Sequence, residues 1–395
     1  MRIRITRDVE IPNPIRLARF QSRPDLGPKL LFFSGGTALR SFSQKLIHYT
    51  YNSIHIITPF DSGGSSAEIR KAFDMLAVGD IRNRLMALAD QSLHGYPEIY
   101  ELFVYRMSKS KSQEELFTEL KEMGGGKHPL VGAIRAPMRK IIRNHLLDFR
   151  ERMPKDFNLR GASIGNLVLT GGFLSYRRHL DPVIYMFSKL VQARGTVRPT
   201  VNSNLHMAAI LENGRRIVGQ HNLTGKEAPP IDAPIVSFEL VKSLDDPTPA
   251  NVDIRNKMRK LIKQADLIVY PIGSFYSSLI ANFLPSGVGR AVAAALCPKV
   301  YVPNTAADPE AMGLNVNKQV ALIIEHLKKD DPGEIKTEDV LNFVLLDEDE
   351  NLYPGLDIGA LESMGVRAIC CKLVDPDSKP YIQADRLAQI LLSLS

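Results

Sequence analysis

Four turns rich in glycine and serine carry the side chains of this sequence that are best suited to bind a phosphorylated ligand. In the first turn, Gly35, Gly36 and Thr37 follow the apolar run KLLFF. Backbone N–H groups at a glycine turn before a helix bind phosphate oxygens, and Thr37 adds a hydroxyl. The alternative is a tight strand-to-helix turn that needs glycine only for its backbone conformation.

The second turn, PFDSGGSSAEIRK, follows the apolar run SIHIITP and contains Asp61, Gly63, Gly64 and Ser65. An aspartate at the carboxyl end of a strand can orient a hydroxyl, accept its proton or hold a divalent cation through phosphate. We therefore predict that Asp61 is both a catalytic and a metal-binding residue. The alternative is a local Asx-turn, with a serine capping a helix that begins at about Ala67.

The third segment, VGDIRNRLMALAD, brings Asp80, Arg82 and Asn83 to the start of a predicted helix. Asp80 is a good residue for capping that helix, which is the explanation that requires no ligand. In the alternative, Arg82 pairs with a phosphate and Asn83 contacts a polar substituent of the ligand.

The fourth segment, YPIGSFYSSLIANFLPSG, has the pattern strand, turn, helix. Gly273, Ser274 and Tyr276 lie at the predicted start of its helix, and Asn282 lies inside it. Alone, such a turn is an ordinary helix cap. Because open α/β sheets bind ligands at the carboxyl ends of their strands, we expect the four segments to line one crevice.

The order of elements around these turns predicts an α/β fold. Lys29–Tyr49 has the pattern strand, glycine turn, helix, and a second strand follows closely, which is typical of a βαβ unit. We therefore predict a Rossmann-like, doubly wound and mostly parallel sheet. The pattern is helical over about 90–160. Around Asn213-Gly214 we predict a small antiparallel patch over about 196–242, with TVRPTV as part of it.

The chain of 395 residues is long enough for one large domain or two ordinary ones. We predict a Pro- and Arg-rich N-terminal extension over 1–28. The main α/β domain is predicted over 29–310 and contains the helical and antiparallel portions. A C-terminal α/β extension over 311–395 is predicted to pack on the same domain.

The charge of the chain favours one kind of partner. A formal net charge of +7 favours a phosphorylated or acidic ligand. We do not expect nucleic acid, because the basic residues are dispersed, there is no Trp, and aromatic residues do not alternate with basic ones. His206 and His221 flank the predicted hairpin, but no further ligands follow at metal spacing, so we interpret them as surface or core histidines.

Cysteine content and the lack of targeting signals indicate a cytoplasmic protein. The three cysteines are too few for a disulfide framework, and Cys370 and Cys371 lie in an apolar run where we expect buried thiols. The start, MRIRITRDVEIPNP, lacks the apolar core of a signal peptide. No uncharged run reaches about 18 residues, so we expect no membrane-spanning segment.

The ordered set of motifs resembles the CofD-like superfamily over roughly residues 30–305. The motifs are SGGT, DSGGSS, GDIRNRLMALAD, SIGN (Ser163–Asn166), GSFYSSLIANFLPSGVGRAV and VYVPN. This superfamily contains the 2-phospho-lactate transferases of deazaflavin coenzyme synthesis and the YvcK-type gluconeogenesis factors, which bind nucleotide sugars. GGSS and GDIRN resemble the YvcK-type branch more closely.

The resemblance implies a Rossmann-like sheet with the ligand over the strand ends, and it is compatible with a homodimer. By position it implies that the first glycine turn contacts a nucleotide diphosphate and that Asp61 matches the first of two consecutive acidic residues. Ser62 stands in place of the second acidic residue, and Ile272 stands where a proline is usual. The positions that the resemblance assigns to the cleft are Gly35, Gly36, Thr37, Asn83, Asn166, Gly273, Ser274, Tyr276 and Asn282.

Two functions from different classes follow from the resemblance. The first is a YvcK-like protein with a metabolic or regulatory role, which binds a nucleotide diphosphate conjugate such as a nucleotide sugar. The alternative is a transferase that moves a phospho-lactate-type group from a nucleotide diphosphate donor to a hydroxyl acceptor such as a deazaflavin. There, Mg²⁺ neutralises the phosphates and Asp61 acts on the acceptor. Ser62 favours the first function, and a scaffold with a degenerate pocket is the third alternative.

Overall fold

The apolar runs of the sequence form the strands of two sheets. The computed structural model describes residues 8–92, 95–225 and 228–395. Residues 1–7 of the predicted N-terminal extension therefore lie outside the described residues. The strands in chain order are β1 (Leu30–Ser34), β2 (Ile54–Ile57), β3 (Thr196–Pro199), β4 (His206–Leu211), β5 (Arg216–Val218), β6 (Ile235–Val241), β7 (Leu267–Tyr270), β8 (Lys299–Tyr301), β9 (Phe343–Leu346) and β10 (Arg367–Cys370).

Helices connect and cover these strands. α1 lies before β1, α2 follows β1, and a long helical segment from α3 to α10 separates β2 from β3. The helices are α1 (Pro14–Ser22), α2 (Arg40–Leu46), α3 (Gly64–Phe73), α4 (Gly79–Ala87), α5 (Pro97–Val104), α6 (Gln113–Gly125), α7 (Pro129–Gly132), α8 (Met138–Arg152), α9 (Ile164–Ser175), α10 (Leu180–Leu190), α11 (Asn256–Lys263), α12 (Val288–Ala293), α13 (Val316–Lys328), α14 (Thr337–Val340), α15 (Ile358–Ser363) and α16 (Ala384–Leu394).

The main sheet is parallel throughout the described residues, with strand order β10-β9-β8-β7-β1-β2-β3. Its central strand β1 is buried on both faces. Leu30 and Phe32 pack with residues of α2 and α16, whereas Leu31 and Phe33 belong to the core on the opposite face. A strand covered on both faces reads as a continuous apolar run, which confirms the predicted doubly wound, mostly parallel sheet.

The strand order reverses at the middle of the main sheet. From β1 the chain proceeds outward through β2 to β3, and it later returns to the other side of β1 with β7 and continues outward to β10. The connections after β1 and β7 therefore leave in opposite directions. This opens a crevice at the carboxyl ends of these two strands, where doubly wound proteins bind their ligands.

The predicted antiparallel patch exists, but it is smaller than predicted. β4 pairs with β5 and β6 in a separate antiparallel sheet, and Asn213-Gly214 forms the β4–β5 hairpin turn with Gly214 at a φ of +82°. The prediction that TVRPTV joins this patch is wrong, because β3 pairs in parallel with β2 at the edge of the main sheet. Alternating burial in a short strand does not indicate whether the strand pairs in parallel or antiparallel with its neighbour.

The helical segment begins before residue 90 and continues past residue 160. Its helices form a core of their own beside Ile57 of β2. Within it α8 and α9 approach closely, since a Cβ added at Gly171 would lie 1.8 Å from the carbonyl oxygen of His145. Glycine at this position is needed for the close approach of the two helices.

The C-terminal part of the chain extends the main sheet. β9 and β10 continue the sheet beyond residue 310, and α16 packs against α2. The division into domains at residues 28 and 310 remains a prediction. Cys370 is exposed at the edge strand β10, so the prediction of a buried thiol is wrong there. No helix within the described residues combines the length and the apolar character that crossing a membrane requires.

Candidate functional site

A cavity of about 1000 Å³ lies at the carboxyl ends of β1, β2, β7 and β8. All the predicted site residues except Tyr276 and Asn282 line it, so the four sequence segments do converge. Ligand binding by these residues remains a prediction. The predicted residues that line the cavity are Gly35, Gly36, Thr37, Asp61, Gly63, Gly64, Ser65, Asp80, Asn83, Asn166, Gly273 and Ser274.

Tyr276 and Asn282 lie behind the cavity wall, where both are buried. The Tyr276 hydroxyl donates to the carbonyl oxygen of Ile235 at 3.3 Å. Asn282 donates to the carbonyl oxygen of Ser278 at 2.8 Å and accepts a hydrogen bond from Thr200. The segment after Ser274 forms a wide π-helical turn over Phe275–Leu279 instead of a regular helix, which directs these side chains inward.

The first glycine turn is packed against Asp80. A Cβ added at Gly36 would lie 2.2 Å from Asp80 Oδ1, so glycine is required here by close packing. α4 begins at Gly79 with Val78 at its N-cap, which makes the N-cap interpretation of Asp80 wrong. Asp80 instead lies in the first turn of helix α4, a position that the helix dipole favours for an acidic side chain. Its carboxylate is next to the first glycine turn.

Arg84 stabilises the same glycine turn by hydrogen bonds to its backbone. Its side chain is fully buried and donates hydrogen bonds to the carbonyl oxygens of Gly35 at 3.0 Å and Leu39 at 2.8 Å, and to Ser43 Oγ at 2.5 Å. Burial lowers the pKa of Arg84 to about 10, and the charge of Asp80 opposes this change. Arg84 is therefore a positioning residue that fixes the backbone of the turn.

The second glycine turn is held by a local contact and by a distant one. The N–H of Gly63 donates to Asp61 Oδ1 at 3.1 Å, which is the predicted Asx-turn. The buried Arg70 donates to the carbonyl oxygens of Phe60 at 3.0 Å and Asp61 at 2.9 Å. α3 begins at Gly64 with Gly63 at its N-cap, so the alternative in which a serine caps a helix from Ala67 is wrong.

Arg82 and Arg106 give the cavity a cationic side. Arg82 Nε donates to Asn166 Oδ1 at 3.3 Å, and Asn166 in turn donates to Ser65 Oγ at 3.2 Å. Burial lowers the pKa of Arg82 to about 10, and the nearby charge of Arg106 lowers it further. Two guanidinium groups that disfavour each other's charge are stabilised by an anion bound between them.

The fourth turn differs from the phosphate-binding arrangement that its sequence suggests. The N–H of Phe275 donates to Asp308 Oδ2, and the N–H of Ser277 donates to Glu310 Oε2, both at 2.7 Å. The chain's own carboxylates therefore occupy the N–H groups that a ligand phosphate would use. Burial raises the pKa of Glu310 to about 7, and Asp308 acts in the same direction.

Sequence reasoning missed cavity residues that come from distant segments. Arg106 belongs to the helical segment, His221 lies beside the small sheet, and Tyr381 lies before α16. His221 Nδ1 lies 2.8 Å from Ser62 Oγ, a contact between residues 159 positions apart. No pattern local to either residue marks this contact in the sequence.

Two carboxylates of the cavity lie where the sequence predicted a metal-binding residue. Asp61 and Asp80 line it beside the two glycine turns. Within residues 8–92, 95–225 and 228–395, no group of three or more His, Cys, Asp or Glu side chains is arranged to hold a metal ion. Mg²⁺ usually takes one or two carboxylates together with ligand phosphates. A magnesium ion that arrives with the phosphates of a ligand remains a prediction.

The reversal of strand order between β1 and β7, with a glycine-lined cavity at that point, defines a doubly wound α/β protein of the Rossmann-like class. Comparison with known proteins gives the family. The chain belongs to the CofD family, because the family model described as 2-phospho-L-lactate transferase CofD matches residues 30–374.

Curated relatives in this family are named gluconeogenesis factors. The chain is 26% identical to the gluconeogenesis factor of Bacillus subtilis over 366 residues, which covers 88% of this chain and 91% of that protein. It is 30% identical to a putative gluconeogenesis factor of a Nostoc species over 298 residues, which covers 75% of this chain. The match spans 52% of the Nostoc protein, or about half its length.

A solved structure shares the fold. The crystal structure of a UPF0052 family protein from Bacillus halodurans superposes with a TM-score of 0.66 and covers 93% of this chain and 99% of that one. The two sequences are 22% identical. The likeness confirms the Rossmann-like architecture with its small antiparallel sheet.

Proposed function

We propose that this protein binds a nucleotide diphosphate conjugate, such as a nucleotide sugar, in the cavity between β1 and β7. The observation that carries the proposal is the meeting of two glycine turns with Arg82 and Arg106 in one cavity at the point where the strand order reverses. Glycine turns before helices supply N–H groups for phosphate, and guanidinium groups supply matching charge. The relatives named gluconeogenesis factor support a metabolic or regulatory role.

Thermal denaturation with a panel of nucleoside diphosphates and nucleotide sugars tests this proposal. A ligand that binds only the folded state at 100 times its dissociation constant is expected to add about 2.7 kcal/mol of stability. Arg106→Met removes an exposed cation of the cavity and should reduce the shift. Arg152→Met is the matched control, because Arg152 is exposed at the end of α8 and does not line the cavity. If no compound raises the melting temperature, with or without magnesium, the proposal is wrong.

The alternative is transfer of a phospho-lactate-type group from a nucleotide diphosphate donor to a hydroxyl acceptor. The description of the matched family and the position of Asp61 in the cavity support it. In this function Asp61 orients the acceptor hydroxyl or takes its proton, the hydroxyl oxygen bonds to the phosphorus of the transferred group, and the P–O bond to the nucleoside monophosphate breaks and releases it. Incubation of the protein with a donor and a deazaflavin acceptor, followed by mass spectrometry, tests it. Product formed by the wild type and not by Asp61→Asn supports transfer, and binding without product rejects it for that acceptor.

A further inference from the structure

Ser62 and His221 form a pair beside Asp61. Ser62 Oγ lies 2.8 Å from His221 Nδ1, and the backbone N–H of His221 donates to the same oxygen at 3.3 Å. Ser62 is only 4% exposed and does not line the cavity, whereas His221 does. The hydroxyl therefore acts on the cavity through the imidazole.

The hydrogen bonds of Ser62 favour the tautomer of His221 that carries its proton on Nε2. A serine hydroxyl has one proton to donate, and here its oxygen already accepts the backbone N–H of His221. Donation of the hydroxyl proton to Nδ1 satisfies both groups and leaves the ring proton on Nε2. If the ring is protonated, both nitrogens carry protons. The tautomer with its proton on Nδ1 would instead donate to Ser62 Oγ and leave the hydroxyl proton without the acceptor that Nδ1 provides. We therefore take Nε2 of His221 as the hydrogen-bond donor.

We propose that His221 donates its Nε2–H to an anionic group of the ligand, and that this donor supplies the neutralising contact that a metal ion would otherwise make. Ligand binding then requires no divalent cation. This inference rests on the proposed function, since it concerns the same cavity and a diphosphate ligand. It assigns Ser62 as a positioning residue and His221 as a ligand contact.

The charges around the pair favour this assignment. A carboxylate at position 62 would add a second negative charge close to Asp61, which disfavours an anionic ligand in the cavity. With a neutral hydroxyl at that position, the cavity offers His221, Arg82 and Arg106 as donors. Burial lowers the pKa of His206, on the same side, to about 4, and the charge of Arg70 lowers it further.

Calorimetric titration with ADP, GDP, UDP and CDP tests the inference on the wild-type protein. Each probe is titrated once with excess EDTA and once with excess magnesium. We expect the probe that binds most tightly to show the same dissociation constant in both buffers. Binding that occurs only with magnesium would overturn the inference and leave the proposed function intact. If no probe binds in either buffer, the proposed function itself fails for nucleoside diphosphates.

Two variants separate the roles of the pair. Ser62→Asp is expected to weaken binding in EDTA by roughly tenfold or more, with recovery in magnesium, because it adds a negative charge close to Asp61 that a cation offsets. His221→Asn keeps a polar atom near Ser62 but removes the Nε2 donor. It is expected to weaken binding by roughly tenfold to a hundredfold in both buffers, as for a lost hydrogen bond to a charged group.

The controls exclude a purely structural effect. His221→Gln supplies an amide donor near the position of Nε2 and should retain more affinity than His221→Asn. His179→Asn is the matched control, because His179 is exposed at the N-cap of α10 and does not line the cavity. Wild-type affinity in His221→Asn would contradict the assignment of His221. A Ser62→Asp protein whose binding does not respond to magnesium would contradict the assignment of Ser62.

Discussion

Replacement of Arg84 by Met is expected to lower the free energy of unfolding by about 3–5 kcal/mol, the usual effect of removing one partner from a buried charged network. Methionine fills a similar volume but leaves the carbonyl oxygens of Gly35 and Leu39 without their donor. It also removes the positive charge that Asp80 experiences beside the first glycine turn. Chemical denaturation followed by circular dichroism measures the change.

Arg152→Met is the control for this experiment as well. Arg152 is exposed, and surface substitutions usually change stability by no more than about 0.5 kcal/mol. If Arg84→Met and Arg152→Met unfold at the same denaturant concentration, Arg84 does not support the turn as the hydrogen bonds indicate. A folded but weakened Arg84→Met protein should also bind ligand less tightly, because the turn that Gly35 begins loses its support.

Replacement of Glu310 by Gln is expected to remove a pH dependence of the free energy of unfolding. In the wild type this dependence amounts to about 3 kcal/mol between pH 5 and pH 8. Burial raises the pKa of Glu310 from 4.5 to about 7. Between these values the unfolded chain has released its proton and the folded chain still holds it. The stability contributed by the buried carboxyl is therefore fully present below pH 4.5 and is lost as the pH rises to 7.

Glutamine keeps the contacts of Glu310 without titrating. Its amide oxygen can accept a hydrogen bond from the N–H of Ser277, and its amide nitrogen can donate one to the Ser277 hydroxyl. In the variant the Ser277 hydroxyl therefore accepts this hydrogen bond, whereas in the wild type it donates to the carboxyl group. Relative to the wild type, the variant should therefore gain stability as the pH rises from 5 to 8. Denaturant titrations of both proteins at each pH measure the difference. A difference that does not vary with pH would mean that Glu310 is ionised throughout this range.

The central fold and most of the cavity were predictable from local patterns. A parallel strand buried on both faces is a continuous apolar run, and the turn that follows it must lie at the carboxyl edge of the sheet. Asp61 and Gly35 therefore came together because each lies in the turn that follows such a strand. The direction in which β3 pairs was not predictable, since a short alternating strand fits either sheet.

Contacts between distant segments were not predictable. Nothing local to His221 indicates that its imidazole meets Ser62, because the contact depends on how the small sheet docks on the main one. The capping of Ser277 by Glu310 depends in the same way on the path of the loop after β8. The positions of residues within one sequence segment were predicted well. Contacts between residues of two different segments could be identified only from the structure.

The position of Asp308 has a consequence for the orientation of a ligand in the proposed function. Asp308 places a carboxylate at the β7–β8 end of the cavity, while Arg82 and Arg106 place positive charge near the helical segment. If the proposed function holds, we expect a nucleotide diphosphate conjugate to direct its phosphates towards the guanidinium groups and its uncharged part away from them. Tyr381, which is 67% exposed and lines the cavity, offers that part an aromatic face.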